Sequence, residues 1–176
     1  MRVVLASDHA GFDLRERLRS LVEGEGHSVI DCGCWSHDRV DYLEYTLAAV
    51  VSLASGECDR AILSCGNGFA MAVVANRFPG VRAVVCHDSY TARTSREMGD
   101  ANVAVFGSRV VATEYAAELA EIWLTAEFKG EQTARYAKRL EAVRLLDTLV
   151  AAPDWLSRLQ SRMPPAPTAP PQESPG

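Results

Sequence analysis

Short apolar runs alternate along the chain with segments whose apolar residues recur every three or four positions. Residues 2–6 (RVVLA) read as a strand, and Leu14, Leu18, Leu21 and Val22 then share one face of a helix. Gly24 and Gly26 end that helix, and residues 28–31 (SVID) predict a second strand. Leu43, Leu47, Val50, Val51 and Ala54 predict the next helix, closed by Gly56. The same reading gives strands over 60–64, 81–86 and 102–106, with helices over 69–77 and 89–97 between them. Two further helices are predicted over 112–126 and 133–150. Five short strands separated by helices predict an α/β fold, a parallel sheet with helices on both faces in a three-layer sandwich. Ligands of such sheets bind beyond the carboxyl ends of the strands. That rule gathers Ser7, Asp8 and His9, the run Cys65-Gly66-Asn67-Gly68, the pair His87-Asp88, and Gly107-Ser108-Arg109 onto one rim.

Composition narrows the class. A length of 176 residues suits one domain with a full core, expected over 1–150. Beyond it, over 151–176, the chain turns Pro-rich; "PPAPTAPPQESPG" at 164–176 lacks aromatics and predicts a disordered tail. A net charge of −5 with no basic block argues against a nucleic-acid partner. No apolar run approaches the roughly 18–20 residues of a membrane span, so no membrane partner is expected. "MRVVLASDHAG" enters a strand at once, without the apolar core of a signal peptide, which places the protein in the cytoplasm. The five cysteines at 32, 34, 58, 65 and 86 are odd in number, and Cys32-x-Cys34 lacks the second pair of a zinc site. They read as reduced thiols, with no metal expected.

One of them has a chemical context. "SCGNGFAMAVVAN" puts Cys65 at a strand-to-helix turn beside Gly66 and Gly68, where backbone can approach a ligand closely. The helix that follows offers unpaired N–H groups and the positive end of its dipole, which suits an anion. That makes Cys65 the candidate base or nucleophile, although a small packing thiol is the commoner use of a buried cysteine. Asp8 can cap the turn after the first strand, and His9 beside it can instead hold a sugar hydroxyl or phosphate. Arg135 and Arg139, spaced i, i+4, share a helix face; they are either solvated charge or a phosphate clamp.

Six segments in order then resemble one family: "SDHAGFDLRERL", "VDYLEYT", "SCGNGFAMAVVANRFPGVRA", "CHDSYTARTSRE", "ANVAVFGSRVV" and "RYAKRLEAV". Together, over about 1–149, they resemble the ribose-5-phosphate isomerase B / galactose-6-phosphate isomerase family. The resemblance implies a Rossmann-like fold and cofactor-free, metal-free aldose–ketose interconversion of a small phosphorylated sugar. It also implies a homodimer or homotetramer whose active sites are shared between chains. It makes Cys65 the base that moves a proton between C1 and C2 through an enediolate. Asn67 and the backbone of Gly66, Gly68, Phe69 and Ala70 then stabilise the oxyanion. Asp8, His9 and Tyr42 match sugar-contacting positions, Gly99 and Arg109 match further ligand contacts, and Arg135 and Arg139 match the phosphate pair.

The chain also departs from the family pattern. Asn67 replaces the usual threonine of the loop, and Ala70 its last glycine. "GEQTAR" is longer than the usual approach to the first phosphate arginine, and Tyr136 stands where histidine is common. In "SREMGDANV", Met98 and Gly99 occupy the usual His-Asn, and that histidine is the acid that opens a furanose ring. A thioether relays no proton. The expected activity is thus a ribose 5-phosphate type of isomerisation, with His87, Glu97 or Asp100 as replacements for the acid. The alternatives are an isomerase of an acyclic tetrose phosphate, a noncatalytic subunit, or a sugar-phosphate binding module.

Overall fold

The computed structural model describes residues 1–161. Its sheet is built from β1 (Arg2–Ser7), β2 (Ser28–Asp31), β3 (Arg60–Cys65), β4 (Ala83–Val85) and β5 (Val103–Gly107). The spatial order is β2-β1-β3-β5-β4, and every pairing is parallel. Helices α1 (Phe12–Gly24), α2 (Tyr42–Ala54), α3 (Phe69–Ala75), α4 (Ser89–Gly99) and α5 (Thr113–Thr125) connect or follow the strands, and α6 (Ala134–Val150) comes after them. The α/β fold expected from the alternating pattern is the one present.

Alternation along the buried strands divides the core in two. Val3 and Leu5 of β1 point to a layer with Leu14 and Leu18 of α1 and Leu119 and Trp123 of α5. Val4 and Ala6 point to the opposite layer, with Ala49 and Val50 of α2 and Met71 and Ala75 of α3. A period of two therefore sorts each strand's side chains between two helical layers. The strand order reverses direction between β1 and β3, which open outward to β2 and to β5. Their carboxyl ends flank the point where a doubly wound sheet leaves a crevice.

The turn after β1 is pressed hard against β3. Asp8 N donates to Ser64 O at 3.3 Å, and Ser64 Oγ donates to Gly11 O at 3.0 Å. A Cβ at Gly11 would lie 2.2 Å from Ser64 O, so only glycine allows this approach. Asp8 and Cys65 are brought to one rim by that contact.

Some boundaries differ from the pattern. The predicted strand over 81–86 shrinks to β4, because Val81 N turns back onto Phe78 O at 3.2 Å. The helix predicted over 69–77 stops at Ala75, where Asn76 leaves it to bond the backbone of Ala83 through both ends of its amide, each at 2.8 Å. Helix α4 runs on to Gly99 and is closed by Asp100 in the left-handed region (φ 48°). A short helix, α7 (Trp155–Gln160), occupies part of the stretch that reads as tail. The tail expected over 164–176 lies outside the described residues. Among the described residues no helix is long and apolar enough to cross a membrane.

Candidate active site

Cys65 is the last residue of β3 and is 2% exposed. Its Sγ accepts the Gly68 N–H at 3.3 Å and lies 3.6 Å from Asn67 Oδ1. Asn67 Oδ1 also accepts the Ala70 N–H at 3.3 Å. With the amide oxygen held by these donors, the Nδ2 end of Asn67 is left to face a ligand. The turn is anchored from β5: Ser108 N donates to Cys65 O at 2.9 Å, and Arg109 N to Gly66 O at 3.0 Å.

Two glycines make this packing possible. Gly68 has φ +81°, and a Cβ there would lie 2.9 Å from Gly107 N and 3.1 Å from His87 Nε2. A Cβ on Gly107 would meet the Asn67 carbonyl carbon at 2.7 Å. The loop thus lies flat on the end of β5, and the Gly68 N–H is aimed at the sulfur as a consequence.

In front of Cys65 opens a cavity of about 560 Å³. It brings together Asp8, His9, Tyr42, Cys65, Gly66, Asn67, Ala70 and Arg109, from the ends of β1, β3 and β5 and the start of α2. Asp8 is a cap, as expected from its place after β1: Oδ1 accepts Ala10 N–H at 2.9 Å and Gly11 N–H at 3.0 Å. It also lines the cavity, at the position matched to a sugar contact. His9 Nδ1 is engaged by the backbone of Val40, 3.1 Å from its O and 3.3 Å from its N, which leaves Nε2 for the cavity. Tyr42 begins α2, whose first turn is capped by Asp41 through Leu43 N at 2.8 Å.

The other four thiols do not share this setting. All five cysteines are free. Burial pushes the thiols of Cys32 and Cys58 up, and that of Cys86 up to about 12, so these three stay protonated at neutral pH. Among the described residues there is no cluster of His, Cys, Asp and Glu that could hold a metal ion.

Five of the residues singled out in the sequence do not line the Cys65 cavity. Gly68 acts through its backbone, and Phe69, 59% exposed, turns its ring outward from the start of α3. Gly99 and Arg139 line a separate groove of about 520 Å³ between α4 and α6, together with Tyr90, Met98 and Val143. Arg135, on α6, lies over the ring of Tyr136 at 5.3 Å. Within one chain the residues matched to the base and to the phosphate pair therefore sit in two places.

Of the three candidates for replacing the ring-opening acid, two are ion-paired and the third lines neither cavity. Asp100 pairs with Arg82 at 2.9 Å and Arg96 at 2.8 Å. Glu97 pairs with Lys129 at 2.7 Å. His87 has its Nε2 buried against Gly68 and does not line the cavity. Met98, 36% exposed, ends in a groove whose lining includes neither a carboxylate nor a histidine.

Sequence reasoning misses Arg39, which lines the Cys65 cavity and an adjoining one with His9 and Tyr42. The signal is present in "DRVDY": a basic residue in the short segment leading to a matched tyrosine is delivered to the same rim.

Comparison with known proteins agrees with this architecture. The family described as Ribose/Galactose Isomerase matches residues 3–143. The chain is 39% identical over 146 residues to ribose-5-phosphate isomerase B of Escherichia coli, covering 83% of this chain and 96% of that protein. It is 39% identical over 141 residues to D-erythrulose-4-phosphate isomerase 2 of Mycolicibacterium smegmatis, covering 78% and 92%. Among solved structures, ribose-5-phosphate isomerase B of Clostridium thermocellum superposes with a TM-score of 0.80 at 38% identity, over 84% of this chain and 98% of that one.

Proposed function

The chain belongs to the ribose/galactose isomerase family and is a sugar-phosphate isomerase, and from that premise we propose that it interconverts the aldose and ketose forms of a short, acyclic sugar phosphate. Cys65 is the base. Its thiolate takes the proton from C2 of the aldose, the C2–H electron pair forms the C1–C2 double bond, and the former carbonyl oxygen becomes the enediolate oxyanion. Returning the proton to C1 gives the ketose, with the oxygens exchanging one proton between them. The Nδ2 donor of Asn67 and the N–H groups following Gly66 stabilise the oxyanion. Asp8, His9 and Tyr42 hold the hydroxyls.

Phosphate falls to Arg135 and Arg139 of a second copy, which completes the site in a homodimer or larger assembly. That Arg139 lines a groove separate from the Cys65 cavity supports that arrangement. Outward-facing Phe69 and Val73 on α3, and Tyr90 and Val143 beside the α4–α6 groove, supply apolar surface for it. Chains carrying Cys65→Ser mixed and reassembled with chains carrying Arg139→Ala should regain roughly a quarter of native activity. Half the dimers are then mixed, and one of their two sites is intact. No recovery above the separate variants would place each site within one chain.

The observation that carries the substrate reading is Met98. With the usual acid absent, Asp100 and Glu97 paired and His87 buried behind Gly68, the groove is lined by no carboxylic acid and no imidazole to protonate a ring oxygen. A tetrose 4-phosphate needs none, because its O4 is esterified and no five-membered ring can close. That one relative is named for D-erythrulose 4-phosphate agrees with this choice. Steady-state kinetics on D-erythrose 4-phosphate and D-ribose 5-phosphate test it. A higher kcat/KM on the tetrose is expected, and an equal or higher value on the pentose overturns it.

A further inference from the structure

Helix α6 carries Arg135 and Arg139, yet little of it is fixed by packing. Leu140 and Leu149 are its buried residues, and neither belongs to the two core layers. Val143, Leu145, Leu146 and Val150 are between 41% and 53% exposed. Among the described residues no side chain of α6 forms an ion pair. A single side-chain hydrogen bond among them ties the helix to the body of the fold: the Gly80 N–H donates to Asp147 Oδ2 at 2.8 Å. Nearby charge works against that docking. Burial lowers the pKa of Arg82, Asp100 raises it, and Arg144 of α6 lowers it again. The two guanidiniums repel the end of α6 from β4.

Gly80 is also the start of a chain of bonds that runs to the opposite wall of the groove. Its carbonyl accepts from Arg82 Nη1 at 3.0 Å and from Asn102 Nδ2 at 2.9 Å. Arg82 then donates from Nε to Asp100 O at 2.7 Å and from Nη2 to Asp100 Oδ2 at 2.9 Å. Asp100 closes α4 directly after Met98 and Gly99. The α4 wall, with Met98 and Gly99, and the α6 wall, with Arg139, are thus joined through Gly80, Arg82 and Asp100. Asp147 is where α6 enters this brace.

We propose that Asp147 is a positioning residue: through Gly80 it sets the separation of α6 from α4 and so holds Arg139 where a phosphate can reach it. The inference rests on the sugar-phosphate isomerase reading and goes beyond it, because Asp147 lines neither the groove nor the Cys65 cavity. Positions 139 and 147 are about 12 Å apart along the helix, so releasing one end tilts the other. A carboxylate that merely steadies the end of α6 would make the same bond, and the two roles part when Arg139 is removed. A positioning effect vanishes with the residue it positions, whereas an independent stabilising effect adds to its loss.

The test uses the full chain in its native assembly, with inorganic phosphate as the probe. Phosphate affinity is measured by calorimetry, and KM and kcat on D-erythrose 4-phosphate. Asp147→Ala should weaken phosphate binding and raise KM by about fivefold or more, with kcat changed by less than about twofold. Asp147→Asn keeps an oxygen that accepts the Gly80 N–H and should stay within about twofold of native in both measures. In chains that already carry Arg139→Ala, adding Asp147→Ala should cost less than about a further twofold. The proposal is overturned if Arg139→Ala weakens phosphate binding and Asp147→Ala does not. It is also overturned if Asp147→Asn loses as much as Asp147→Ala, or if the full Asp147→Ala loss recurs on top of Arg139→Ala. Native phosphate affinity in Arg139→Ala overturns the phosphate clamp and the positioning role together. The expected phosphate pattern in a chain that isomerises no sugar phosphate upholds the role of Asp147 and overturns the isomerase reading alone.

Discussion

Cys65→Ser is expected to fold, to bind substrate, and to retain no more than about a hundredth of native turnover, the lower range of what a positioned general base contributes. A serine Oγ can still accept the Gly68 N–H that now reaches Sγ at 3.3 Å, so the loop has its partner in the variant. What the hydroxyl lacks is acidity, since it supplies almost no anion at neutral pH where a thiol supplies some. Binding should survive because Asp8, His9, Tyr42 and the arginines are untouched. A variant keeping more than about a tenth of native kcat, a loss below ~1.4 kcal/mol in the barrier, would take the base role from Cys65. Cys86→Ser is the control for altering any buried thiol. Burial holds that thiol's pKa up at about 12, so turnover per folded molecule should be unchanged whatever the stability cost.

The contrast between these cysteines also measures how much of the site is legible in the sequence. Cys65 stands apart on local grounds alone, because its neighbours are Gly66 and Gly68 at a strand end, and chain-local signals of that kind carry through to geometry. Strand alternation is equally legible: Val3/Leu5 and Val4/Ala6 face opposite layers as a period of two requires. Asp8 is legible only as an ambiguity, and it proves to be both cap and cavity wall. What the sequence hides is whatever depends on distant partners. Asn76 reads as helix because nothing local says that its amide will bond Ala83 across the connection. Arg39 escapes notice because its position depends on His9 seizing Val40, a contact between residues 31 apart. The i, i+4 spacing of Arg135 and Arg139 gives a shared face but not its distance from Cys65 in a single chain, since helix periodicity contains no information about which cavity α6 borders.

Met98→His should convert the substrate profile. Position 98 lies in the last turn of α4, is 36% exposed, and opens into the groove that also holds Arg139. Histidine is tolerated there, because a cation at a helix C-terminus is favourable and its lower helix propensity costs only about a few tenths of a kcal/mol. On ribose 5-phosphate, which is overwhelmingly a furanose in water, the native enzyme must wait for the rare open form. An imidazolium that protonates the ring oxygen removes that wait. The expected gain in kcat/KM is about tenfold or more, short of the full ~10²–10⁴ of general acid catalysis because Gly99 still lacks the side chain that usually follows the acid. On erythrose 4-phosphate no ring has to open, and the same substitution should change kcat/KM by less than about twofold. The gain on the pentose should fade as the pH rises well past the ordinary histidine pKa of ~6.5, since the protonated ring is the donor. Met98→Gln, polar but without an acidic proton of suitable pKa, should leave both substrates as in the native enzyme. Equal gains on the two sugars would mean that histidine improves binding or packing rather than ring opening. A native enzyme already as efficient on the pentose, with no gain from Met98→His, would show that Met98 replaced nothing this chain requires.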